Sequence, residues 1–373
     1  MNRLQKRNMF YTVIGEAAMA SRFIALIAVS ALLVSITAQA EVEVKPFGFF
    51  QLTAESRDQD SPDDNFAFGA DRIRFGFKIK DTDSVLGGTP FGGLQVDFNK
   101  SPLDKTVEGP NGKSVDLPAV IKDAYAGYKF NDAASIKMGQ FKTPLGMDFN
   151  TSGKKLDITK RGLEKALVLE RAVGVMLSGR KIGGGFGYDI GVFNPAGRGS
   201  ASPVGDRGDN NSFAGRLMFD GEDVAGSGGK LHVEAAYGSD EAPSGAEDYD
   251  VWDVAGSFKR GIVTVKAEYI SGSNVDGVDG DDQFAWYLHG GVMVHPKVEA
   301  VIRYYDTEFD PDVGSSTDLS NIYLGVNVFL GSNKTNGRLQ VNYVLAGGDE
   351  TDFEGVGKTF KDDAIVVQYQ ASF

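Results

Sequence analysis

The segment Arg72-Ile73-Arg74-Phe75-Gly76-Phe77-Lys78-Ile79-Lys80 alternates apolar residues with basic residues or glycine. Because successive side chains of an extended chain point to opposite faces, such a segment has one apolar and one polar face. The same alternation recurs at 94–99, 263–269, 322–330 and 338–345. The chain is therefore an all-β protein whose strands each separate water from an apolar environment.

Sixteen segments with strand character follow one another along the chain. They lie near 44–54, 70–80, 91–100, 120–130, 134–143, 172–181, 185–194, 212–220, 230–239, 248–259, 261–271, 282–294, 297–307, 320–331, 336–346 and 363–373. Most are about 9–11 residues long, which is what a tilted strand needs to cross a bilayer. A soluble sandwich shares the alternation, but the even count and the lengths favour a transmembrane antiparallel β-barrel around an aqueous channel.

The connections between these segments differ in length. Tight ones, such as 259–261 and 331–333, alternate with longer polar ones, such as 56–68, 100–118 and 195–211. This pattern predicts short turns on the periplasmic side and long loops on the outer side of the membrane.

Residues 1–40 resemble a secretory signal. Arg22 precedes an apolar run from Phe23 to Ile36 that is too short to span a membrane, and Ala38-Gln39-Ala40 offers a cleavage site of small residues. The expected domains are a signal peptide at 1–40 and one barrel at 41–373. Met19 is an alternative start, and an uncleaved inner-membrane anchor is the alternative to a signal peptide.

Composition narrows the function further. Removing the four basic residues and one acidic residue of the first 40 leaves 34 basic and 50 acidic residues, a net charge of -16. This balance argues against nucleic-acid binding. The absence of cysteine excludes disulfides and thiolate metal sites.

The chain ends in an alternating strand whose last residue is Phe373. A terminal aromatic residue on such a strand resembles the signal that the outer-membrane assembly machinery reads. The expected partners are that machinery, outer-membrane lipid and lipopolysaccharide.

One connection differs from the others. The alternation breaks at Thr143-Pro144-Leu145-Gly146 and resumes only at Ala172. From Lys154 to Lys165, five basic residues stand against only two acidic ones, Asp157 and Glu164; the basic residues are Lys154, Lys155, Lys160, Arg161 and Lys165. A long basic excursion between two strands predicts a loop folded into the barrel lumen, where it narrows the pore and sets its charge.

The residues around this connection carry a family resemblance. The run from Gly139 to Gly146, followed by Leu169-Glu170-Arg171 and by Gly174 to Gly179, resembles the phosphate-selective porin O and P family of bacterial outer membranes. The resemblance implies a constriction formed by the third loop, a homotrimer and transport of anions such as phosphate. The family's Arg-Arg-x-Arg run reads Asp71-Arg72-Ile73-Arg74 here, so one basic position is acidic.

Basic residues on the second strand, on the inserted loop and beside it are predicted to line the constriction. They are Arg72, Arg74, Lys78, Lys142, Lys154, Lys155, Lys160, Arg161, Lys165, Arg171 and Arg180. Cationic rings in a narrow pore favour anions. In the alternative arrangement, these groups pair with Asp97, Asp123, Asp157, Glu164 and Glu170 and leave a nearly neutral opening.

We found little that indicates catalysis. The three histidines are His232, His289 and His295, and none sits in a zinc-protease or esterase arrangement. The acidic loop at 274–282 does not fit the spacing of a calcium loop. We therefore expect a porin for small hydrophilic solutes, without cofactor or metal. The alternatives are a general porin without anion preference, a barrel-embedded hydrolase that uses His289, and an adhesin or structural barrel.

Overall fold

The computed structural model of the chain describes residues 42–57, 66–81, 87–99, 120–195, 211–226, 228–242, 246–348, 353, 355–356 and 360–373. The predicted signal peptide at 1–40 and most of the predicted loops at 56–68, 100–118 and 195–211 lie outside these residues. None of the helices in the described part has the length and hydropathy required to cross a membrane.

Within the described residues, sixteen strands form one closed antiparallel barrel in which each strand pairs with its neighbours in sequence. The strands are β1 Val42–Arg57, β2 Ala67–Asp81, β3 Thr89–Asp97, β4 Ile121–Asn131, β5 Ala134–Lys142, β6 Arg171–Ile182, β7 Phe186–Phe193, β8 Ser212–Glu222, β9 Lys230–Asp240, β10 Tyr249–Arg260, β11 Val263–Ser273, β12 Asp282–His295, β13 Val298–Asp310, β14 Thr317–Phe329, β15 Gly337–Gly348 and β16 Ala364–Ser372. Each overlaps one predicted segment, so the predicted sixteen-stranded antiparallel barrel is confirmed.

The first and last strands close the barrel. β1 pairs with β16 from Phe49 opposite Ser372 to Arg57 opposite Ala364. Beyond the ladder, Gly48 N donates to Phe373 O at 3.2 Å and Phe373 N donates to Gly48 O at 3.1 Å. Because closure pairs both edge strands, it removes the unpaired backbone groups that lipid cannot satisfy.

The two faces of the wall are the reverse of those in a soluble protein. The outward side chains of Leu52 and Leu217 are 52% and 67% exposed, whereas the inward side chains of Gln51, Gln340 and Gln368 are at most 1% exposed. Soluble proteins bury the apolar residues and expose the polar ones. The apolar exterior is the face that meets lipid, as the alternation predicts.

Several inward aromatic rings lie across a glycine of the neighbouring strand. Phe47 covers Gly76, where an added Cβ would lie 2.8 Å from the ring and 2.3 Å from the backbone oxygen of Leu94. The ring of Tyr125 covers Gly93 in the same way. Glycine thus lets each ring lie against the wall, because a side chain there would displace it into the lumen.

We predict that Gly76→Val destabilises the barrel by about 1–3 kcal/mol, because the new side chain overlaps both backbone and ring atoms. The measurement is the free energy of unfolding in guanidinium, with the protein in detergent micelles. Gly69→Val on the same strand is the matched control, since nothing lies within 4 Å of the position of its Cβ. Equal losses at the two positions would contradict this account.

Candidate functional site

The long connection between β5 and β6, residues 143–170, lies inside the barrel. It contains two short helices, α1 (Met147–Asn150) and α2 (Glu164–Leu167). Its backbone bonds to inward side chains of distant strands. Thr159 N donates to Asn342 Oδ1 at 2.9 Å, Gly162 N donates to the Tyr305 hydroxyl at 3.2 Å, and Arg338 Nη1 donates to Leu156 O at 2.8 Å. We call these residues the inner segment.

Apolar side chains attach the inner segment to one side of the wall. Leu145, Phe149, Leu163, Leu167 and Val168 are buried against side chains that include Phe141, Val251, Ile270 and Ala285. Around Ile158, a second cluster includes three tyrosines: Tyr287, Tyr305 and Tyr323. Each fully buried aliphatic or aromatic side chain contributes about 1.5–3 kcal/mol. Burial of these side chains therefore stabilises the position of the inner segment against the wall.

A buried ion pair reinforces this attachment. Asp148 on α1 pairs with Arg303 on β13, and both side chains are at most 1% exposed. Arg303 also stacks on Tyr287, with its guanidinium carbon 4.3 Å from the ring centroid. Burial opposes ionisation of Asp148, but the positive charges of Arg303 and Lys266 outweigh it and lower its pKa to about 2. The pair therefore remains charged at neutral pH.

Next to this pair lie carboxyl groups with buried oxygens that accept no hydrogen bond from the described residues. These are both oxygens of Glu164 and of Asp253, and Oε1 of Glu268, whose Oε2 accepts from Asp148 N at 3.0 Å. Burial, followed by the negative charge of Asp148, raises the pKa of Glu164 to about 7. Since ionising an unpaired buried carboxyl group is costly, Glu164 holds its proton until near neutral pH.

On the other side of the inner segment lies a cavity of about 770 Å³. It is bounded by the start of the inner segment and by the wall from β1 to β8. Ten basic residues and two acidic ones line it, a formal excess of eight positive charges. The basic ones are Lys45, Arg74, Lys78, Lys137, Lys142, Lys154, Lys155, Arg171, Arg180 and Arg216, and the acidic ones are Asp123 and Asp189. We call it the cationic cavity.

The arginines of the cationic cavity are held by carboxylates. Arg74 Nε lies 2.9 Å from Asp97, and Arg171 Nε lies 2.9 Å from Asp123. Asp189 accepts from both Arg180 and Arg216, at 2.9 and 2.7 Å. These pairs fix the guanidinium groups against the wall and neutralise part of their charge.

Five of the six lysines differ from the arginines, whereas the sixth, Lys45, pairs with Glu43 at 2.6 Å. Lys78, Lys137, Lys142, Lys154 and Lys155 form no ion pair with a carboxylate of the described residues. Lys142 Nζ donates instead to the backbone oxygens of Phe149 and Thr151. Burial lowers the pKa of Lys154, and so do the ammonium groups of Lys155 and Lys78. The positive charge of the cavity that these carboxylates do not neutralise therefore lies on these five lysines.

The eleven predicted pore residues separate into two groups. Seven line the cationic cavity: Arg74, Lys78, Lys142, Lys154, Lys155, Arg171 and Arg180. Four make other contacts: Arg72 donates to Gln51, Lys160 pairs with Glu55, Arg161 donates to backbone oxygens of the inner segment, and Lys165 pairs with Glu170. Asp157 pairs with Lys266 of β11 and not with a lysine of its own segment.

Three basic lining residues were missing from the predicted set, namely Lys45, Lys137 and Arg216. Each has the inward parity of its strand, which was readable in the sequence. The alternation shows which face of its own strand a residue occupies. It does not show that closure of the barrel brings β1, β5 and β8 to one cavity.

His289, the candidate for hydrolase chemistry, is a buried wall residue. Its side chain is 1% exposed, and Nδ1 accepts from Arg303 Nε at 3.3 Å. Its Nε2 lies 4.0 Å from Oδ2 of Asp157, so the ring belongs to the charged cluster around Asp148 and Asp157. In the described part of the chain, no group of three or more acidic or histidine residues has the geometry of a metal site.

We predict that Glu164→Gln stabilises the barrel more at about pH 8 than at about pH 5, by on the order of 3 kcal/mol at most. The folded protein holds the Glu164 proton more tightly than the unfolded chain does. Wild-type stability therefore falls as the pH rises from the unfolded to the folded pKa, and the variant avoids this loss. The measurement is the free energy of unfolding at both pH values.

Glu170→Gln is the matched control, because Glu170 is half-exposed and paired with Lys165. We expect no stabilisation that grows with pH for this variant. A pH dependence in Glu164→Gln identical to that of the wild type would contradict the assignment of the proton to Glu164.

Solved structures share this architecture. The anion-selective porin from Comamonas acidovorans superposes with a TM-score of 0.63 at 13% identity, over 89% of this chain and 100% of the other. OmpT of Vibrio cholerae in its trimer form gives 0.60 at 14% identity, over 89% and 99%. The outer-membrane channel DcaP of Acinetobacter baumannii gives 0.56 at 16% identity, over 90% and 98%. Identities this low establish a shared fold alone.

Sequence comparison establishes the family. No curated protein matches the chain. The family model described as Gram-negative porin matches residues 25–349, which is most of the chain. The closed barrel and its apolar exterior agree with that match. The chain belongs to the Gram-negative porin family, whose barrels form outer-membrane channels for small solutes.

Proposed function

We propose that this porin favours small anions over cations and that the inner segment forms its constriction. The observation that carries the proposal is the cationic cavity, with ten basic and two acidic lining residues. The inner segment packs against the wall from β5 to β13 through its apolar side chains and the Asp148–Arg303 pair. Solutes therefore pass along the side of the lumen where the unpaired lysines lie.

The charge acts strongly because the passage is narrow. At physiological salt, screening extends over about 8 Å, which is comparable with the dimensions of such a cavity. Low-dielectric walls focus the field of the lysines into the water column, which raises the local concentration of anions and lowers that of cations. The acidic surplus of the whole chain lies elsewhere and leaves this local field positive.

Among anions, the contacts support a broad preference more than a dedicated phosphate site. Arginine binds phosphate oxygens in a bidentate manner when its guanidinium is free. Here Arg74 and Arg171 are engaged by Asp97 and Asp123, whereas the free cations are lysines, which act as point charges. We infer that phosphate is one of several small anions that pass, and the resemblance to the phosphate-selective porins stays a prediction.

The proposal includes the protein's assembly. We infer a homotrimer in outer-membrane lipid and lipopolysaccharide, inserted by the assembly machinery through β16 and Phe373. The structural relative OmpT of Vibrio cholerae is described as a trimer form. The ring of Phe373 is exposed at the end of the seam and lies 6.4 Å from that of Phe75, where a binding partner can reach it.

We predict an anion-selective reversal potential for the refolded mature protein in a planar bilayer under a potassium chloride gradient. The double variant Lys154→Glu, Lys155→Glu should lose or reverse this selectivity, because it replaces two uncompensated positive charges of the cavity with negative ones. The measurement is the chloride-to-potassium permeability ratio obtained from the reversal potential.

Lys165→Glu is the control, since Lys165 belongs to the same segment but pairs with Glu170 outside the cavity lining. We expect it to shift the ratio much less than the double variant does. A cation-selective or unselective wild type that ignores the double variant would favour a general porin. Absence of any channel would favour an adhesin or structural barrel.

We also predict that the detergent-extracted protein migrates as a trimer on an unheated denaturing gel and as a monomer after boiling. The closed ladder of backbone hydrogen bonds resists detergent, so each unboiled barrel stays folded and keeps the surface through which the proposed subunits associate. Light scattering in detergent measures the mass independently. A folded species of monomer mass in both measurements would exclude a stable trimer.

A further inference from the structure

The wall of the cationic cavity carries aromatic rings as well as charges. Phe47 of β1 and Tyr125 of β4 line it and are half-buried. Behind Tyr125 lies Phe141, whose ring centroid is 6.3 Å away in an edge-to-face arrangement. Lysines alone would supply a positive electrostatic field in the cavity. The aromatic rings are not needed for that field.

One lysine, Lys137, lies beside two of these rings. Nζ of Lys137 lies 4.0 Å from the ring centroid of Phe141 and 5.6 Å from that of Tyr125. Lys137 therefore places beside aromatic surface an ammonium group that forms no ion pair with a carboxylate of the described residues. An inorganic ion can use only the ammonium group, whereas an organic anion with a ring can use both.

We propose that the cationic cavity is a binding site for organic anions that have a flat apolar face, such as aryl carboxylates. The inference rests on the proposed anion preference and names the class of solute for which the cavity is shaped. The carboxylate lies among Lys78, Lys137 and the lysines of the inner segment. The ring of the solute packs on Tyr125 and Phe47.

The glycines of the wall make this packing possible. Because Phe47 lies across Gly76 and Tyr125 across Gly93, each ring has one face against the wall and occupies little of the lumen. Aromatic pairs in offset or edge-to-face contact gain energy beyond that of apolar burial. A flat solute can therefore slide along the rings while its charge moves from one lysine to the next.

Half-blocking concentrations of three monoanions test the inference. Benzoate, cyclohexanecarboxylate and acetate are added separately to wild-type channels that carry a chloride current in a planar bilayer. Benzoate and cyclohexanecarboxylate have the same charge and similar size, so the comparison isolates the flat face. We expect benzoate to block at a concentration roughly threefold lower than cyclohexanecarboxylate, and acetate to block most weakly.

Two variants locate the effect. Phe47→Leu and Tyr125→Leu each remove a ring but keep an apolar side chain, and each should bring the ratio of benzoate to cyclohexanecarboxylate block toward one. Phe50→Leu is the matched control, because Phe50 lies on β1 but points outward and is 44% exposed. Its ratio should equal that of the wild type. Heat-dependent migration on a gel verifies that each variant is folded, and either ring position suffices for the test.

The outcomes separate this inference from the proposed function. Equal block by benzoate and cyclohexanecarboxylate in an anion-selective wild type overturns the inference and leaves the anion preference standing. A benzoate preference that survives in both ring variants overturns it as well, since the rings then do not carry it. A wild type that selects cations overturns the proposed function and this inference together.

Discussion

The structure depends on the requirement that no backbone amide or carbonyl be left unpaired in lipid. A sheet satisfies it only by closing, and the pairing of β1 with β16, completed by the bonds between Gly48 and Phe373, provides the closure. Closure also turns one face of every strand toward lipid and the other toward the lumen, so the exterior is apolar and the interior is polar. The buried glutamines and asparagines of the lumen wall follow from it, because they are the groups that face the enclosed space.

The inner segment then divides that space into two unlike halves. On the side of β9 to β16, opposite charges meet and cancel, as Arg303 does with Asp148 and Lys266 does with Asp157. On the side of β1 to β8, carboxylates restrain the arginines, whereas five cavity lysines form no ion pair with a carboxylate of the described residues. A chain with a formal charge of -13 therefore encloses a positive cavity. The charge of the cavity lining thus has the opposite sign to the net charge of the chain.

Glycine and aromatic residues determine how much of the lumen remains open. Rings that stood away from the wall would narrow the cavity, whereas rings that lie across Gly76 and Gly93 occupy little of it. The side chain of Glu164, in contrast, is buried between the inner segment and the wall, where ionising its carboxyl group is costly. Packing of the inner segment thus combines strong apolar contacts with an electrostatic cost that varies with pH.

The sequence by itself determined the number of strands, their approximate limits, their lipid-facing parity and the existence of one basic insertion, because each of these follows from local alternation and its interruption. It also identified seven lining residues, among them Arg74 and Lys154. Only the tertiary structure decided which cations are neutralised. Lys160 pairs with Glu55, which lies 105 positions away in the chain, and Lys137 reaches a cavity that it shares with Lys45 and Arg216. Charge pairing and cavity formation depend on distances across a closed barrel, and no local pattern encodes those distances.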